Sequence, residues 1–262
     1  MVSTGTTTTS DGTTIAWDRR GSGPPLVLVH GITDTRRSWD LMVDDLAADH
    51  DVVTVDLRGH GESDKADDYS LARMATDLAE VCADIGLASP VLVGHSLGGL
   101  LVTAAGGAVG ARAVMNVDQG LELNAMSETV ATIAHQLRDP ATFHATLALV
   151  FSALESPGLD EASARAFADG VANADQDVLL GIWGPMLDGP DPAVGAQVDA
   201  VLSTLTMPYL SWHGIDPGPG YEAWLRERVP QAQYELIDGE GHFVHQVDPQ
   251  RFTSRLRAFL TD

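Results

Sequence analysis

One serine of the chain stands at the spacing expected of a nucleophile. The stretch VGHSLGG at residues 93–99 places Ser96 within G-x-S-x-G, between the apolar run PVLVG and the helix-compatible run LGGLLVTAAG. A serine on a sharp strand-to-helix turn projects its hydroxyl above a sheet, and Gly94 and Gly98 lack the Cβ atoms that would crowd such a turn. The helix that follows offers backbone N–H groups to a developing oxyanion. The pattern predicts nucleophilic chemistry at Ser96.

Short apolar runs on both sides of this turn predict the strands that would position it. Such runs are typical of strands covered on both faces, and they occur at residues 26–30, 51–56, 90–94, 113–118, 208–212 and 233–238. Helical patterns separate many of them; one runs from Leu71 to Ile85, with Ser70 as its cap and Gly86 at its end. TTIAWDRR (13–20) adds an antiparallel hairpin strand. The alternation predicts an α/β protein with a doubly wound, mostly parallel sheet.

The strand pattern stops after Asp118 and resumes near residue 206. Between these points the sequence contains only helical segments, broken by turns such as SPG and DGPDP. A helical insertion late in a parallel sheet is expected to cover the carboxyl ends of the strands, where such folds bind ligands. We therefore expect a core formed by residues 1–119 and 206–262, and a helical cap at 120–205 that is an insertion and not an independent domain.

The composition limits the classes of partner. With 262 residues the chain can bury one sizeable core. Its 37 acidic and 15 basic side chains give a formal charge of -22, which disfavours nucleic acids and anionic membranes as partners. The single cysteine, Cys82, falls on the apolar side of a helical pattern and is expected to be a buried thiol. No apolar run approaches the ~18 residues of a membrane span and no secretory signal is visible, so a cytoplasmic protein is expected.

Together these motifs resemble those of the α/β-hydrolase superfamily over nearly the whole chain. LVLVHG (26–31) is similar to the family segment whose next residue donates an oxyanion N–H, and GEGHFVHQVDPQRF (239–252) is similar to the segment of the catalytic histidine. The resemblance implies an α/β-hydrolase fold with the helical cap inserted after the sixth strand. It also implies His242 as the general base for Ser96. The N–H groups of Ile32 and Leu97 would form the oxyanion hole.

The carboxylate that orients the histidine has two candidates. The imidazole needs a carboxylate to fix its tautomer. The usual family position follows the seventh strand as G-x-x-D, but HGIDPGPGY puts Asp216 two residues after Gly214 instead of three. Some members carry the acid after the sixth strand, where MNVDQG places Asp118. Asp118 is slightly favoured, and Asp216 stays an alternative.

A serine at the strand-to-helix turn favours acyl transfer, because family members that open epoxides or remove halide use aspartate at that position. The resemblance therefore implies hydrolysis of small-molecule esters or lactones through an acyl-enzyme, without a metal or organic cofactor. The arrangement of these residues along the chain is also similar to that of fungal zearalenone lactonases. Carbon–carbon bond hydrolases and cofactor-free perhydrolases are alternatives on the same fold, and a non-catalytic small-molecule receptor is an alternative of another class.

The cap is expected to select the substrate. Its apolar residues serve mainly to dock its helices, but Trp183 in GIWGPM lies where glycines and a proline interrupt the helical pattern. We predict that Gly31, Trp39, His95, Trp183 and Met186 line the pocket. Such a lining suits a medium-sized, largely apolar molecule better than a charged one.

Overall fold

A single sheet organises the fold. The computed structural model describes residues 2–261, and within that range eight strands form one sheet in the order β1-β2-β4-β3-β5-β6-β7-β8. The strands are β1 Val2–Thr8, β2 Thr14–Gly21, β3 Pro25–Val29, β4 Asp51–Val55, β5 Val91–His95, β6 Ala113–Val117, β7 Tyr209–His213 and β8 Ala232–Leu236. β2 pairs antiparallel with β1 and β4, and the remaining neighbours pair in parallel. The predicted mostly parallel, doubly wound sheet is confirmed.

Helices cover both faces of this sheet. They are α1 Asp40–Leu46, α2 Leu71–Asp84, α3 Leu97–Val109, α4 Leu123–Ala131, α5 Ala134–Arg138, α6 Phe143–Ser152, α7 Glu161–Ala172, α8 Gln176–Leu187, α9 Pro192–Leu202, α10 Tyr221–Arg228, α11 Val244–Val247 and α12 Pro249–Phe259. One hydrophobic cluster contains residues of α2 and α3, and a second contains residues of α1 and α12. Every residue of β4, β5, β6 and β7 is buried, as apolar strands between two helical layers must be.

Helix α2 has the features that its sequence predicts. The Ser70 hydroxyl accepts a hydrogen bond from the Arg73 N–H at 3.3 Å, and the helix ends at Asp84, one residue before the predicted end. Gly86 follows with a φ of 71°, in the left-handed region that favours glycine. Cys82 is buried, and burial raises the pKa of its thiol to about 12, so the sulfur is protonated and unreactive near neutral pH.

The first strand, β1, is not predicted by the sequence pattern, because VSTGTTT lacks alternating apolar residues. It pairs as an edge strand with β2, with Thr7 opposite Ile15. The Trp17 indole N–H donates to the Thr7 hydroxyl at 3.2 Å, and a Cβ on Gly5 would collide with the Trp17 ring. An edge strand needs one pairing partner and is half exposed, so polar β-branched threonines suffice there.

Six helices, α4 to α9, occupy the chain between β6 and β7 within the described residues. Helices α4 to α8 contribute to a third hydrophobic cluster, which also contains Ile32 from the loop after β3 and whose aromatic residues include Phe151 and Trp183. The buried residues of α9, Val198 and Leu202, belong to the first cluster. No helix of residues 2–261 is long and apolar enough to cross a membrane. The division into core and cap at residues 120 and 205 stays a prediction.

Glycines allow the cap helices to approach the core closely. A Cβ on Gly170 of α7 would collide with the carbonyl oxygen of Thr33, in the loop after β3. A Cβ on Gly181 of α8 would overlap the ring of Tyr69. Helices α7 and α8 therefore rest directly on loops that border the carboxyl ends of the strands.

Candidate active site

Ser96 lies on a strained turn between β5 and α3. Its φ of 52° and ψ of -124° are conformations that non-glycine residues rarely adopt, and such strain is typical of functional turns. The glycines on either side have no room for side chains, since a Cβ on Gly94 would collide with the Gly98 carbonyl and a Cβ on Gly98 would collide with the Val29 carbonyl. The Ser96 N–H donates to the carbonyl of Val117 at 2.9 Å. The turn has the shape that its motif predicts.

Asp118 and His242 come together at the carboxyl ends of β6 and β8. The His242 Nδ1 lies 2.6 Å from the Asp118 Oδ2, and both residues are buried. The other carboxylate oxygen accepts backbone hydrogen bonds from Gly214 at 2.7 Å and Ile215 at 3.0 Å. Because a carboxylate only accepts, Nδ1 carries the hydrogen and Nε2 is left free to accept a proton. This is the arrangement that a general base requires.

Asp216 does not take part in this arrangement. It is exposed, and its Oδ1 accepts a hydrogen bond from the Gly218 N–H at 2.8 Å. The loop after β7 thus provides two backbone N–H groups to Asp118, whereas the Asp216 side chain closes a local turn. The structure brings His242 together with Asp118 and not with Asp216.

The two N–H groups expected to form the oxyanion hole belong to residues that border the same cavity as Ser96. Ile32 follows β3 and Leu97 begins α3, and both line this cavity. Neither N–H donates to another residue of the part of the chain that the structure describes. Two free donors beside a nucleophile are what a negatively charged oxygen needs.

Two histidines, His30 buried and His60 half-buried, hold the loop that contains Ile32. His30 Nδ1 donates to the Gly31 carbonyl at 2.7 Å, and its Nε2 accepts from the Leu57 N–H at 3.0 Å. His60 Nε2 lies 3.4 Å from the Thr33 N. Burial lowers the pKa of His30 to about 3 and also lowers the pKa of His60. Both rings are therefore neutral, which they must be to accept a hydrogen bond at Nε2.

Known proteins with similar sequences and structures include hydrolases, in agreement with the geometry of the site. A model of the "Alpha/beta hydrolase family" matches residues 26–255. The chain belongs to the alpha/beta hydrolase family. Esterase YbfF of Escherichia coli K12 is 26% identical over 245 residues, which cover 91% of this chain and 93% of that protein.

Solved structures share the whole fold of this hydrolase. The esterase RhEst1 from Rhodococcus sp. ECU1013 matches with a TM-score of 0.81 and 27% identity, and the match covers 99% of each chain. Est816, an N-acyl homoserine lactone degrading enzyme, matches with a TM-score of 0.79 and 22% identity over 97% of this chain and 100% of that one, which shows a common fold alone. Family membership and the esterase relatives support the prediction that the chain is a hydrolase.

The hydrolase has a cavity of about 460 Å³, which Ser96, Asp118 and His242 line together. Its other walls are mainly apolar side chains of the core and the cap, among them Tyr69, Met74, Leu100, Met126, Phe151, Leu154, Trp183 and Met186. The predicted pocket residues Trp183 and Met186 therefore do border the space beside the serine. Tyr69, Met74 and Phe151 were not singled out by the sequence, because they belong to regular apolar patterns that core packing alone explains.

Three predicted pocket residues of the hydrolase do not line this cavity. Trp39 is fully buried beneath the sheet, where it packs against His245 with ring centroids 4.8 Å apart. His95 is 1% exposed and lies behind the serine turn. Gly31 is a close-packing position, since a Cβ there would lie 3.0 Å from the Ser96 Cβ. Gly31 and His95 are adjacent in sequence to Ile32 and Ser96, but the pleat of a strand and the turn after it send adjacent residues to different sides.

The remaining histidines near the site serve other purposes. His213 Nε2 bonds with the Ser211 hydroxyl at 2.7 Å, and its Nδ1 lies 3.8 Å from the Asp118 Oδ1. Burial lowers the pKa of His213 to about 4, and it lowers the pKa of His245 to about 3. Both rings are neutral near pH 7. His213 also lines the cavity, but its 3.8 Å separation from Asp118 is too long for a hydrogen bond. Among the described histidines, only His242 combines a hydrogen bond to a carboxylate with a place on the wall of the cavity that Ser96 lines.

Proposed function

We propose that this protein is a serine hydrolase that cleaves carboxylic esters or lactones of medium-sized, largely apolar molecules through an acyl-enzyme. The observation that carries the proposal is the 2.6 Å contact between the Asp118 carboxylate and His242 Nδ1, on the wall of the cavity that Ser96 lines. Position 96 is a hydroxyl nucleophile, which favours attack at an acyl carbon.

The residues would act in a fixed order. His242 Nε2 takes the proton of the Ser96 hydroxyl as the oxygen attacks the carbonyl carbon. The N–H groups of Ile32 and Leu97 then stabilise the oxyanion, and each such donor typically contributes about 3 kcal/mol. As the ester C–O bond breaks, His242 returns the proton to the leaving alkoxide. Water, activated by the same imidazole, attacks the acyl-enzyme and releases the acid and free Ser96.

The cavity supports the substrate class. A volume of about 460 Å³ suits a medium-sized small molecule, and the apolar walls disfavour charged groups near the serine. The esterase relatives support ester substrates, and the fold shared with a lactone-degrading enzyme keeps lactones in the same proposal. A lactone differs from an ester only in that its leaving alkoxide stays attached to the acyl group.

Covalent labelling tests the nucleophile. A fluorophosphonate probe should label the wild-type protein and the Ser203→Ala variant, whose exposed serine lies far along the chain in the cap, and should not label Ser96→Ala. Labelling that persists in Ser96→Ala would contradict the assignment of the nucleophile. A wild-type protein that binds small molecules but is neither labelled nor active on any ester would support the receptor alternative.

A substrate panel tests the reaction. Aryl esters from acetate to octanoate, assayed beside several lactones, should be hydrolysed with a preference for medium-length acyl groups. Activity confined to a meta-cleavage dienoate, or dependent on added peroxide, would replace the proposal by carbon–carbon bond hydrolysis or by perhydrolysis.

A further inference from the structure

One peptide group beside the general base is held on both of its edges. The carbonyl oxygen of His242 accepts a hydrogen bond from His95 Nε2 at 2.9 Å. The N–H of the same peptide group, which belongs to Phe243, donates to the Ser156 hydroxyl at 2.7 Å. His95 is the last residue of β5 and directly precedes Ser96, and Ser156 lies between α6 and α7. We call this pair of hydrogen bonds the peptide clamp.

The His95 half of the clamp connects the base to the nucleophile turn. His95 Nδ1 has no partner among the described residues, and the carbonyl can only accept, so the ring hydrogen is on Nε2. The ring packs between His242 and His245, with centroid distances of 4.6 Å and 4.4 Å. Burial, together with the charges that His245 and His242 would carry, lowers the pKa of His95 well below its usual range. The ring is therefore a fixed neutral donor.

The Ser156 half connects the base to the cap. Ser156 is buried, and a Cβ on Gly241 would collide with the Glu155 carbonyl, so the cap loop and the histidine loop are in tight backbone contact. The Phe167 ring of α7 packs on the Phe243 ring with centroids 4.6 Å apart. These contacts fix the distance at which the Ser156 hydroxyl meets the Phe243 N–H.

The same part of the cap also borders the substrate cavity. Phe151 and Leu154 line the cavity and precede Ser156 by five and two residues. A substrate that contacts Phe151 and Leu154 therefore pushes against a short segment, and Ser156, which follows it, positions His242. Catalysis is sensitive to such contacts, because a displacement of about 1 Å can reduce the rate about 100-fold.

We propose that His95 and Ser156 are positioning residues, which act through the clamped peptide to keep the His242 imidazole aligned between Ser96 and Asp118. Neither touches the reacting atoms. Binding of the substrate against the cap is thereby coupled to the orientation of the His242 imidazole. Part of the binding energy then raises kcat. This inference rests on the proposed function, in which His242 is the general base.

The Ser156 half is tested by Ser156→Ala and Ser156→Thr, which remove and keep the hydroxyl. Ser152→Ala, an exposed serine four residues earlier, is the matched control. We expect Ser156→Ala to lower kcat for a medium-length aryl ester by about 10- to 100-fold with KM changed less than about twofold. A loss confined to KM, or a kcat equal to that of the control, would overturn the proposal.

Amide hydrogen exchange at Phe243, measured beside that of amides in β5 and β6, separates misfolding, which exposes all of them, from local loss of the clamp. The amide should be protected in the wild type and in Ser152→Ala, and it should exchange faster in Ser156→Ala. Across the three serine variants, kcat should fall only where this protection is lost. A variant that keeps full kcat without protection, or loses kcat with protection intact, would overturn the role of Ser156.

The His95 half is tested by His95→Gln, whose amide N–H can replace the Nε2 donor, against His95→Leu, which has none. His95→Gln should retain most of kcat and His95→Leu should lose about 10- to 100-fold, again with little change in KM. Equal kcat in the two variants would overturn the role of His95. The proposed function fails differently: the wild type would then be inactive on every ester and unlabelled, whatever the protection of the Phe243 amide.

Discussion

Replacement of Asp118 by asparagine would test the proposed acid most directly. The carboxylate accepts three hydrogen bonds: from Gly214 N–H at 2.7 Å, from Ile215 N–H at 3.0 Å and from His242 Nδ1 at 2.6 Å. Asparagine at this site has one oxygen and one NH₂ group. If the oxygen keeps the two backbone donors, the NH₂ group faces His242 Nδ1. The opposite orientation turns the NH₂ group toward two N–H donors and is less favourable.

The favoured orientation sets the size of the effect. An NH₂ group opposite Nδ1 stabilises the tautomer that carries its hydrogen on Nε2, and that nitrogen can then no longer accept the Ser96 proton. A wrong tautomer of this kind costs about 10⁴-fold in kcat in the trypsin-type triad that established the rule. The same loss here corresponds to about 5 kcal/mol of transition-state stabilisation.

Asp216→Asn is the matched control. It removes one exposed carboxylate, keeps an oxygen for the Gly218 N–H, and should change kcat by less than about twofold. The assay is steady-state hydrolysis of an aryl ester by the two variants and the wild type, with thermal unfolding to check that each is folded. Equal losses in the two variants, or a larger loss in Asp216→Asn, would refute the assignment of Asp118.

Three further predictions concern stability and the cap. Burial lowers the pKa of His245 to about 3, so on acidification the unfolded chain binds the proton first. The contribution of the neutral ring to the free energy of unfolding is therefore complete above about pH 6.5, and it falls by about 2 kcal/mol between about pH 7 and about pH 5. Urea unfolding of His245→Leu should therefore show a smaller loss, and an unchanged loss would contradict this reasoning. Gly170→Ala should lower kcat by about 10-fold or more, because the added Cβ would push on the Thr33 carbonyl. Gly184→Ala has nothing within 4 Å of its Cβ, so it should keep activity and gain up to about 1 kcal/mol in unfolding free energy. Equal activities of the two variants would exclude the contact between Gly170 and Thr33 from catalysis. Trp183→Ala should reduce kcat/KM for octanoate esters more than for acetate esters, and a uniform loss across the series would count against Trp183 as an acyl-binding residue.

Local signals in the sequence were sufficient for the sheet and the serine turn. The glycines around Ser96 form a short motif, and the buried strands are continuous apolar runs, so each can be recognised without knowledge of the rest of the chain. The contact between Gly98 and the Val29 carbonyl, which makes that glycine necessary, is visible only in the fold. The edge strand β1 was not predicted, because its stability comes from pairing with β2 and not from an apolar pattern of its own.

Relations between distant residues were harder to predict. The choice between Asp118 and Asp216 depends on which of two loops approaches His242, and the one that does is 124 residues away in the sequence. The motif alone left both open. Trp39 illustrates the opposite error. A large aromatic residue shortly after the oxyanion loop suggested a pocket wall, but Trp39 lies directly before α1 and packs on the other face of the sheet, against Phe252. Nothing in the turn ESPG marked Ser156, because its hydroxyl matters only through the contact with Phe243.

The position of Asp118 has a practical consequence for redesign. The loop after β7 supplies Asp118 with main-chain donors alone, from Gly214 and Ile215. The Asp216 side chain is thus open to substitution, whereas Pro217 and Tyr221 beyond it line the cavity. Asp118 itself directly follows β6, two residues before the predicted start of the cap. A chimera that exchanges caps between members of this family should therefore be joined after residue 118, so that the recipient keeps its own carboxylate.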